Sequence, residues 1–192
     1  MGEDLRVVAE RDPSVRGRRE AVWHPALAAL WTHRAAHRLH RRGWRLTARL
    51  LARAARRATA VEIHPGAVLG RRAFIDHGAA VVIGETAVVG DDVTLYHQVT
   101  LGAVGWWSDN ARPAGARRHP VVGRGVVLGT NATVLGPVTV GDGAVIGAQA
   151  LVNKDVPAGA RVLAPTAVVK RVGERPEPLE DVFSAIASAG SW

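Results

Sequence analysis

An aliphatic residue recurs at every sixth position from Ile63 to Val152, and a Gly usually follows it directly. The series is Ile63, Leu69, Ile75, then Ile83, Val89, Leu95 and Leu101, then Val122, Leu128, Val134, Val140, Ile146 and Val152. A period of six matches neither the 3.6 of a helix nor the 2 of a long strand, so each hexad must be a short strand plus a corner, repeated around a solenoid. Three hexads close one triangular coil of a parallel β-helix. Each aliphatic side chain then points into the prism and stacks on its equivalents one coil above and below. The Gly after it, as in Leu69-Gly70, Ile83-Gly84, Val89-Gly90 and Val140-Gly141, lets the backbone turn without a Cβ clash and is free to take positive φ. A set of ordinary short strands would not hold register without a break from Val122 to Val152. The fold class is therefore mainly β.

Two departures from the hexad rule expose side chains that a regular rung would bury. One is the stutter Ile75-Asp76-His77-Gly78-Ala79-Ala80-Val81-Val82-Ile83, where eight residues occupy the place of six; the other is the excursion from Ala103 to Pro120, which returns at Val122. Breaks in local rules are where function is expected. Upstream, residues 13 to 58 read as helices. A first stripe runs through Ala26, Leu27, Leu30, Trp31, Ala35 and Leu39 from a start at Pro25, and a second through Leu46, Leu50 and Ala54 after a break near Gly43. These helices would cap the open end of the solenoid, whose first coil has unpaired strand edges. The division is thus 1–60, an N-terminal helical segment; 61–172, the β-helix with an extruded loop at 103–120; and 173–192, a tail that is extended or partly helical near Val182 to Ala187.

Composition narrows the class. The 192 residues are 47% hydrophobic, enough for one core. No apolar run reaches transmembrane length, and the start, with Glu3, Asp4, Arg6, Glu10 and Arg11, has no signal-peptide core; a soluble cytoplasmic protein without membrane partners is expected. The absence of cysteine excludes disulfides, a thiolate nucleophile and a Cys-type zinc site. The net charge of +8 is concentrated in residues 1 to 60, with 14 Arg against 5 acidic residues. Those Arg residues interleave with Ala and Leu at helical spacing, the pattern of a solvated helix face, so nucleic acid is not the expected partner.

At the stutter, Asp76 and His77 offer an imidazole outside the prism, and Glu62 falls about one coil earlier. A carboxylate against one ring nitrogen fixes the tautomer and leaves the other to accept a proton, which suits a general base. The loop adds Arg117, Arg118 and His119, a cationic cluster able to hold a carboxylate or phosphate. An amino-acid-like acceptor would satisfy both halves. His33 and His37, four apart on a helix, have ligand spacing but no third ligand placed by sequence. His77, His97 and His119 could meet at a zinc ion only across subunits, and no metal is expected.

These residues carry a family resemblance. The runs Glu62-Ile63-His64-Pro65-Gly66-Ala67, Phe74-Ile75-Asp76-His77-Gly78, Val82-Ile83-Gly84-Glu85-Thr86-Ala87, Val99-Thr100-Leu101-Gly102 and Arg118-His119-Pro120 resemble the serine O-acetyltransferases of the hexapeptide-repeat acyltransferase superfamily. The likeness extends upstream to Arg11-Asp12-Pro13 and downstream to Lys154-Asp155-Val156-Pro157. It implies a left-handed β-helix and transfer of acetyl from acetyl-CoA, a co-substrate, to the hydroxyl of L-serine in cysteine biosynthesis. By the same resemblance His77 is the general base and Glu62 orients it. Asp12 and Asp76 bind the serine amino group, and Arg118 and His119 hold its carboxylate. Acetyl-CoA would lie near Gly102, Ala103, Thr130 and Ala148, in a groove between subunits of a homotrimer or of a pair of trimers.

The chain also departs from that family. Ala103-Val104 stand where Gly-Thr is usual, the loop is longer and carries Trp106 and Trp107, and Ala164-Pro165-Thr166-Ala167 replace the usual Gly-Val-Pro-Ala. A related CoA-dependent O-acyltransferase acting on another amino-acid-like acceptor or acyl group is therefore the alternative. The chain ends Ser191-Trp192 rather than in the isoleucine that docks into cysteine synthase, so that complex is not expected in its usual form.

Overall fold

The computed structural model describes residues 2–113 and 115–167. Met1, residues 168–172 of the expected β-helix and the whole 173–192 tail, with its expected helical turn at Val182 to Ala187, lie outside the described residues. Strands of two or three residues alternate with corners: β1 (Glu62–Ile63), β2 (Val68–Leu69), β3 (Phe74–Ile75), β4 (Val82–Ile83), β5 (Val88–Val89), β6 (Thr94–Leu95), β7 (Thr100–Gly102), β8 (Val121–Val122), β9 (Val127–Leu128), β10 (Thr133–Leu135), β11 (Thr139–Val140), β12 (Val145–Ile146), β13 (Leu151–Val152) and β14 (Arg161–Val162). Every third strand joins the same sheet up to β12, and β14 follows it by two because the rung between is only the isolated Val140–Val156 bridge. The three parallel faces run β1-β4-β7-β10-β13, β2-β5-β8-β11 and β3-β6-β9-β12-β14.

The register explains the hexad. Ile63 pairs with Ile83, Ile83 with Leu101, Leu101 with Val134 and Val134 with Val152, so the aliphatic positions form columns. All thirteen are buried except Leu69, which is partly covered at the end of its column. A second inward row stands two residues before the first: Val61, Ala67, Ala73, Val81, Ala87, Val93, Val99, Val126, Ala132, Val138, Ala144 and Ala150, all buried. Its small side chains fill the corners of the triangle, where little room remains between walls.

Of the two roles the sequence suggests for the Gly of each hexad, avoidance of a Cβ clash is the one these positions show. Gly70, Gly90, Gly123 and Gly141 all have ordinary negative φ; positive φ falls instead on residues such as Arg72, Asp92, Gly125 and Gly143, further round the corner. A Cβ at Gly70 would lie 2.5 Å from the Gly90 carbonyl carbon, one at Gly90 2.8 Å from that of Gly123, and one at Gly141 2.4 Å from the Ala158 nitrogen. The requirement is close approach of successive coils.

Four helices precede the solenoid: α1 (Gly2–Arg11), α2 (Arg18–Ala21), α3 (Pro25–Arg41) and α4 (Arg45–Thr59). Helix α3 begins at Pro25 and α3 and α4 are separated at Gly43, φ +85°, as the sequence indicates. Ala26, Ala29 and Leu30 of α3 join Val61 and Ile63 in the solenoid core, which caps the first coil. Helix α1 was not legible: ten charge-rich residues are too few to display a period, yet Val7 and Val8 are buried with Ala21, Leu27 and Phe74 in a second cluster. The stripe expected on α4 also faces the other way. Leu46 and Leu50 are 73% and 58% exposed, and Ala48 is the buried residue. Among the described residues no helix is long and apolar enough to cross a membrane.

Candidate active site

Each edge of the triangular prism carries its own chemistry. The edge after β2, β5, β8 and β11 stacks Arg71, Asp91, Arg124 and Asp142, two residues beyond each aliphatic of the repeat. Arg71 pairs with Asp91 at 3.6 Å and Arg124 with Asp142 at 3.1 Å, and the Asp side chains also accept the backbone amides of Arg71 and Arg124. This edge is structural.

The edge after β3, β6, β9 and β12 stacks His77, His97, Thr130 and Ala148. The eight-residue stutter bends the chain through left-handed backbone at His77 (φ +56°), Gly78 (+79°) and Ala80 (+57°). A non-glycine residue there costs on the order of 1 kcal/mol and persists only where the surroundings enforce it. Here the Gly78 amide donates to the Asp76 carbonyl at 2.6 Å and the Ala80 amide to that of Ala60 at 3.0 Å. The bulge throws the His77 side chain outward, 75% exposed, with Nε2 3.9 Å from Asp76 Oδ1. Its ring meets that of His97 edge-on, centroids 5.8 Å apart; the regular-rung histidine thus flanks the irregular one.

Asp12 arrives at the same edge from the C-terminal end of α1. Its Oδ1 accepts from the Ser14 hydroxyl (2.6 Å) and amide (2.9 Å), and Oδ2 lies 3.7 Å from Nε2 of His24, which precedes α3. The Ser14 hydroxyl bond, more than the nearby His24 and His77, holds Asp12 below the ordinary carboxylate range, so it is an anion near neutrality. Burial pushes His24 below the usual imidazole value, opposed by the fields of Asp12 and Asp76. Asp12, His24, Asp76 and His77 therefore form one electrostatic group. Nothing in the sequence marks His24, since a His before Pro25 signals only a helix start.

Arg118 and His119 stand at the third edge, beyond β1, β4 and β7. His119 is buried, lies flat against Gly84, where a Cβ would come within 2.0 Å of its ring, and accepts the Thr86 amide on Nδ1 at 3.2 Å. Burial, then the Arg118 charge, lower its pKa, so the ring is neutral with its remaining proton on Nε2. Arg118 pairs with Glu85 at 2.7 Å, and the Thr86 hydroxyl accepts the Arg118 and His119 amides. Thr86 and Glu85 thus anchor the returning loop, a role that short-range sequence spacing does not disclose. Beside Arg118 opens a cleft of about 600 Å³ lined by His40, Arg45, Glu85, Asp109 and Arg112 among others.

The two halves that the sequence assigned to one acceptor are consequently apart within a single chain. Val81 to Gly84 span the face between them, about 10 Å at the rise of an extended strand. Glu62 also differs from expectation. Its carboxylate faces Arg56 of α4 at 2.9 Å, and no hydrogen bond or ion pair joins it to His77 among the described residues; the His77 bulge instead packs Gly78 against Val61. Gly102 and Ala103 lie at the Arg118 edge, whereas Thr130 and Ala148 follow His77 and His97 down the other, the Gln149 amide donating to the Thr130 carbonyl at 2.8 Å. The loop starts with Val104 against Gly136 and continues as α5 (Trp106–Asp109), whose indoles are 74% and 66% exposed and meet edge-on at 6.1 Å.

His64 and His37 have structural contacts. His64 Nδ1 accepts the Gly66 amide at 3.0 Å, and His37 Nδ1 contacts the Pro65 carbonyl at 2.8 Å. No group of three ligating side chains is placed to hold a metal ion among the described residues. His33 is buried between α3 and the first coils, and desolvation, helped by His37 and Arg34, lowers its pKa to about 4. The folded state therefore resists a proton that the unfolded chain accepts near pH 6.5. Stability is full above that pH and is lost as pH falls from about 6.5 to about 4. Thermal unfolding between pH 7 and 4 is expected to show the midpoint falling, less steeply in His33→Phe.

Comparison with known proteins agrees with this architecture. The description "Bacterial transferase hexapeptide (six repeats)" matches residues 119–154. The serine acetyltransferase of Mycobacterium tuberculosis is 50% identical over 164 residues, covering 85% of this chain and 69% of that protein. Two crystal structures superpose closely. The serine acetyltransferase of Neisseria gonorrhoeae in complex with serine has a TM-score of 0.77 at 35% identity, over 88% of this chain and 66% of that one. That of Brucella abortus in complex with coenzyme A has a TM-score of 0.78 at 34% identity, over 90% and 67%. The chain thus spans about two thirds of the length of these solved relatives. With a left-handed β-helix, a helical cap and a bulged Asp-His rung, this chain belongs to the serine acetyltransferase family.

Proposed function

We propose that the protein acetylates the hydroxyl of L-serine with acetyl-CoA, giving O-acetylserine and CoA, in a site completed by two copies of the chain. The observation that carries this reading is the separation of the two half-sites. One edge presents Asp12, Asp76 and His77, which suit an ammonium and a hydroxyl; another presents Arg118 and His119, which suit a carboxylate. Packing the first edge of one protomer beside the second edge of the next brings them together, as a homotrimer does three times. The Mycobacterium serine acetyltransferase supports the activity, and the Neisseria complex with serine and the Brucella complex with coenzyme A support the two ligands.

In this reading His77 accepts the serine hydroxyl proton as that oxygen attacks the thioester carbonyl carbon. The C–S bond breaks, and the departing thiolate takes the proton back from the imidazolium. Backbone amides near Gly102 and Ala103 serve the oxyanion, each such donor contributing about 3 kcal/mol to lowering the barrier. The thioester lies between that edge and the groove along Thr130 and Ala148. For Glu62 to orient His77, its carboxylate must leave Arg56. A cysteine-free chain fits the reducing cytoplasm.

Subunit complementation tests the arrangement. His77→Ala and Arg118→Ala are each expected to be nearly inactive alone. Co-assembled, they recover a fraction of wild-type CoA release, because mixed interfaces contain one intact His77 edge facing one intact Arg118 edge. No recovery in confirmed mixed oligomers would place the site within one chain and refute the shared site. Wild-type turnover of serine against a panel of amino-acid alcohols checks the acceptor.

A further inference from the structure

Asp12 lies outside the solenoid, on a chain segment with no strand pairing of its own, yet it reaches the His77 edge. Two side chains account for this. Arg11, its neighbour, crosses to the second coil. Nη1 donates to the Asp92 carbonyl (3.2 Å) and the Thr94 hydroxyl (3.0 Å), and Nη2 to Asp92 Oδ1 (3.0 Å). Arg72 closes the array by bonding both Asp92 (2.8 Å) and Glu10 (3.0 Å). The end of α1 is thus tied to the solenoid wall by a ring of alternating charges.

His24 acts from the opposite side. Its backbone is fixed at the start of α3, where the Leu27 amide donates to its carbonyl at 3.0 Å, and its ring packs on Phe74 with centroids 5.9 Å apart. The side chain is 8% exposed. Nδ1 is buried without a hydrogen-bond partner among the described residues, so a proton there would be buried without an acceptor. The neutral ring therefore carries its proton on Nε2, which faces Asp12 Oδ2 at 3.7 Å. Since Ser14 occupies Oδ1, Oδ2 is the oxygen left to face a cation.

We propose that Arg11 and His24 are positioning residues for the acceptor's amino group, holding the Asp12 carboxylate at the His77 edge with Oδ2 open to an ammonium. This rests on the function proposed above. Neither residue touches the reacting atoms, so their loss weakens acceptor binding and leaves the chemical step and acetyl-CoA binding intact.

Steady-state kinetics with serine and with 3-hydroxypropanoate, which lacks the amino group, tests this. Arg11→Gln and His24→Phe are each expected to raise KM for serine about tenfold, with kcat and KM for acetyl-CoA within about twofold of wild type. With 3-hydroxypropanoate the same variants should match wild type. His24→Gln, which keeps a terminal N–H donor, should recover most of the loss, and Arg11→Lys, which keeps charge without the fork, should fall between. Thermal unfolding establishes that each variant is folded. Unchanged KM for serine in folded variants, or equal losses with both acceptors, would overturn the inference while wild-type serine turnover leaves the functional reading standing. A wild type that does not acetylate serine would remove both.

Discussion

His77→Asn is expected to lower kcat by about 10² to 10⁴ without lowering the unfolding midpoint, the range that a positioned general base contributes. The stutter is what makes this separable from stability. The imidazole is 75% exposed and its contacts are the His97 ring and Asp76, none of them part of the aliphatic columns. Asn also tolerates the left-handed backbone that position 77 adopts (φ +56°), so the bulge should survive where a β-branched residue would strain it. Release of CoA followed by a thiol reagent, with circular dichroism on the same samples, gives both quantities. Retention of more than a tenth of wild-type kcat would show that another group takes the proton.

The largest effect on stability is expected from Gly90→Ala, about 3 kcal/mol, the upper part of the range for overpacking. The added methyl would meet the Gly123 carbonyl carbon and oxygen at 2.8 Å and the Arg124 nitrogen at 2.9 Å. These are backbone atoms of the next coil, themselves tied by the Gly90 amide to the Val122 carbonyl at 2.8 Å, and no side chain can rotate to make room. Relief requires opening the β5–β8 pairing in the middle of the solenoid. Urea titration with a fitted midpoint measures it. Gly125→Ala, with φ +64° and open space around a Cβ, serves as the contrast: it carries only the cost of a left-handed alanine, about 1 kcal/mol. A loss in Gly90→Ala no larger than that in Gly125→Ala would mean that the spacing of the coils tolerates the added methyl and does not require glycine.

How much could be read beforehand depended on the range of the interactions involved. The hexad is local, so the columns of Ile83, Leu101 and Val134 were legible from spacing alone, as were the bulge at Asp76-His77 and the loop before Val122. Helix α1 was not, since ten residues with buried Val7 and Val8 do not establish a period. On α4, Leu46 and Leu50 set the apparent stripe, whereas packing that is mainly against α3 buries small Ala48 instead. Glu62 and His77 fall one coil apart by counting, yet a nearby guanidinium on α4 captures the carboxylate.

Short-range spacing specifies the solenoid, its cap and the chemical identity of the residues at its irregular rungs, because a six-residue repeat of buried aliphatics stacks as parallel coils. Tertiary structure alone decided which of those residues share an edge. It set Asp12 and His24 beside His77, and it sent Arg118 and His119 to a different corner. Edge assignment depends on strand register summed over several coils and on contacts such as Arg11 with Asp92, 81 residues away, and no short-range pattern encodes a distance of that kind.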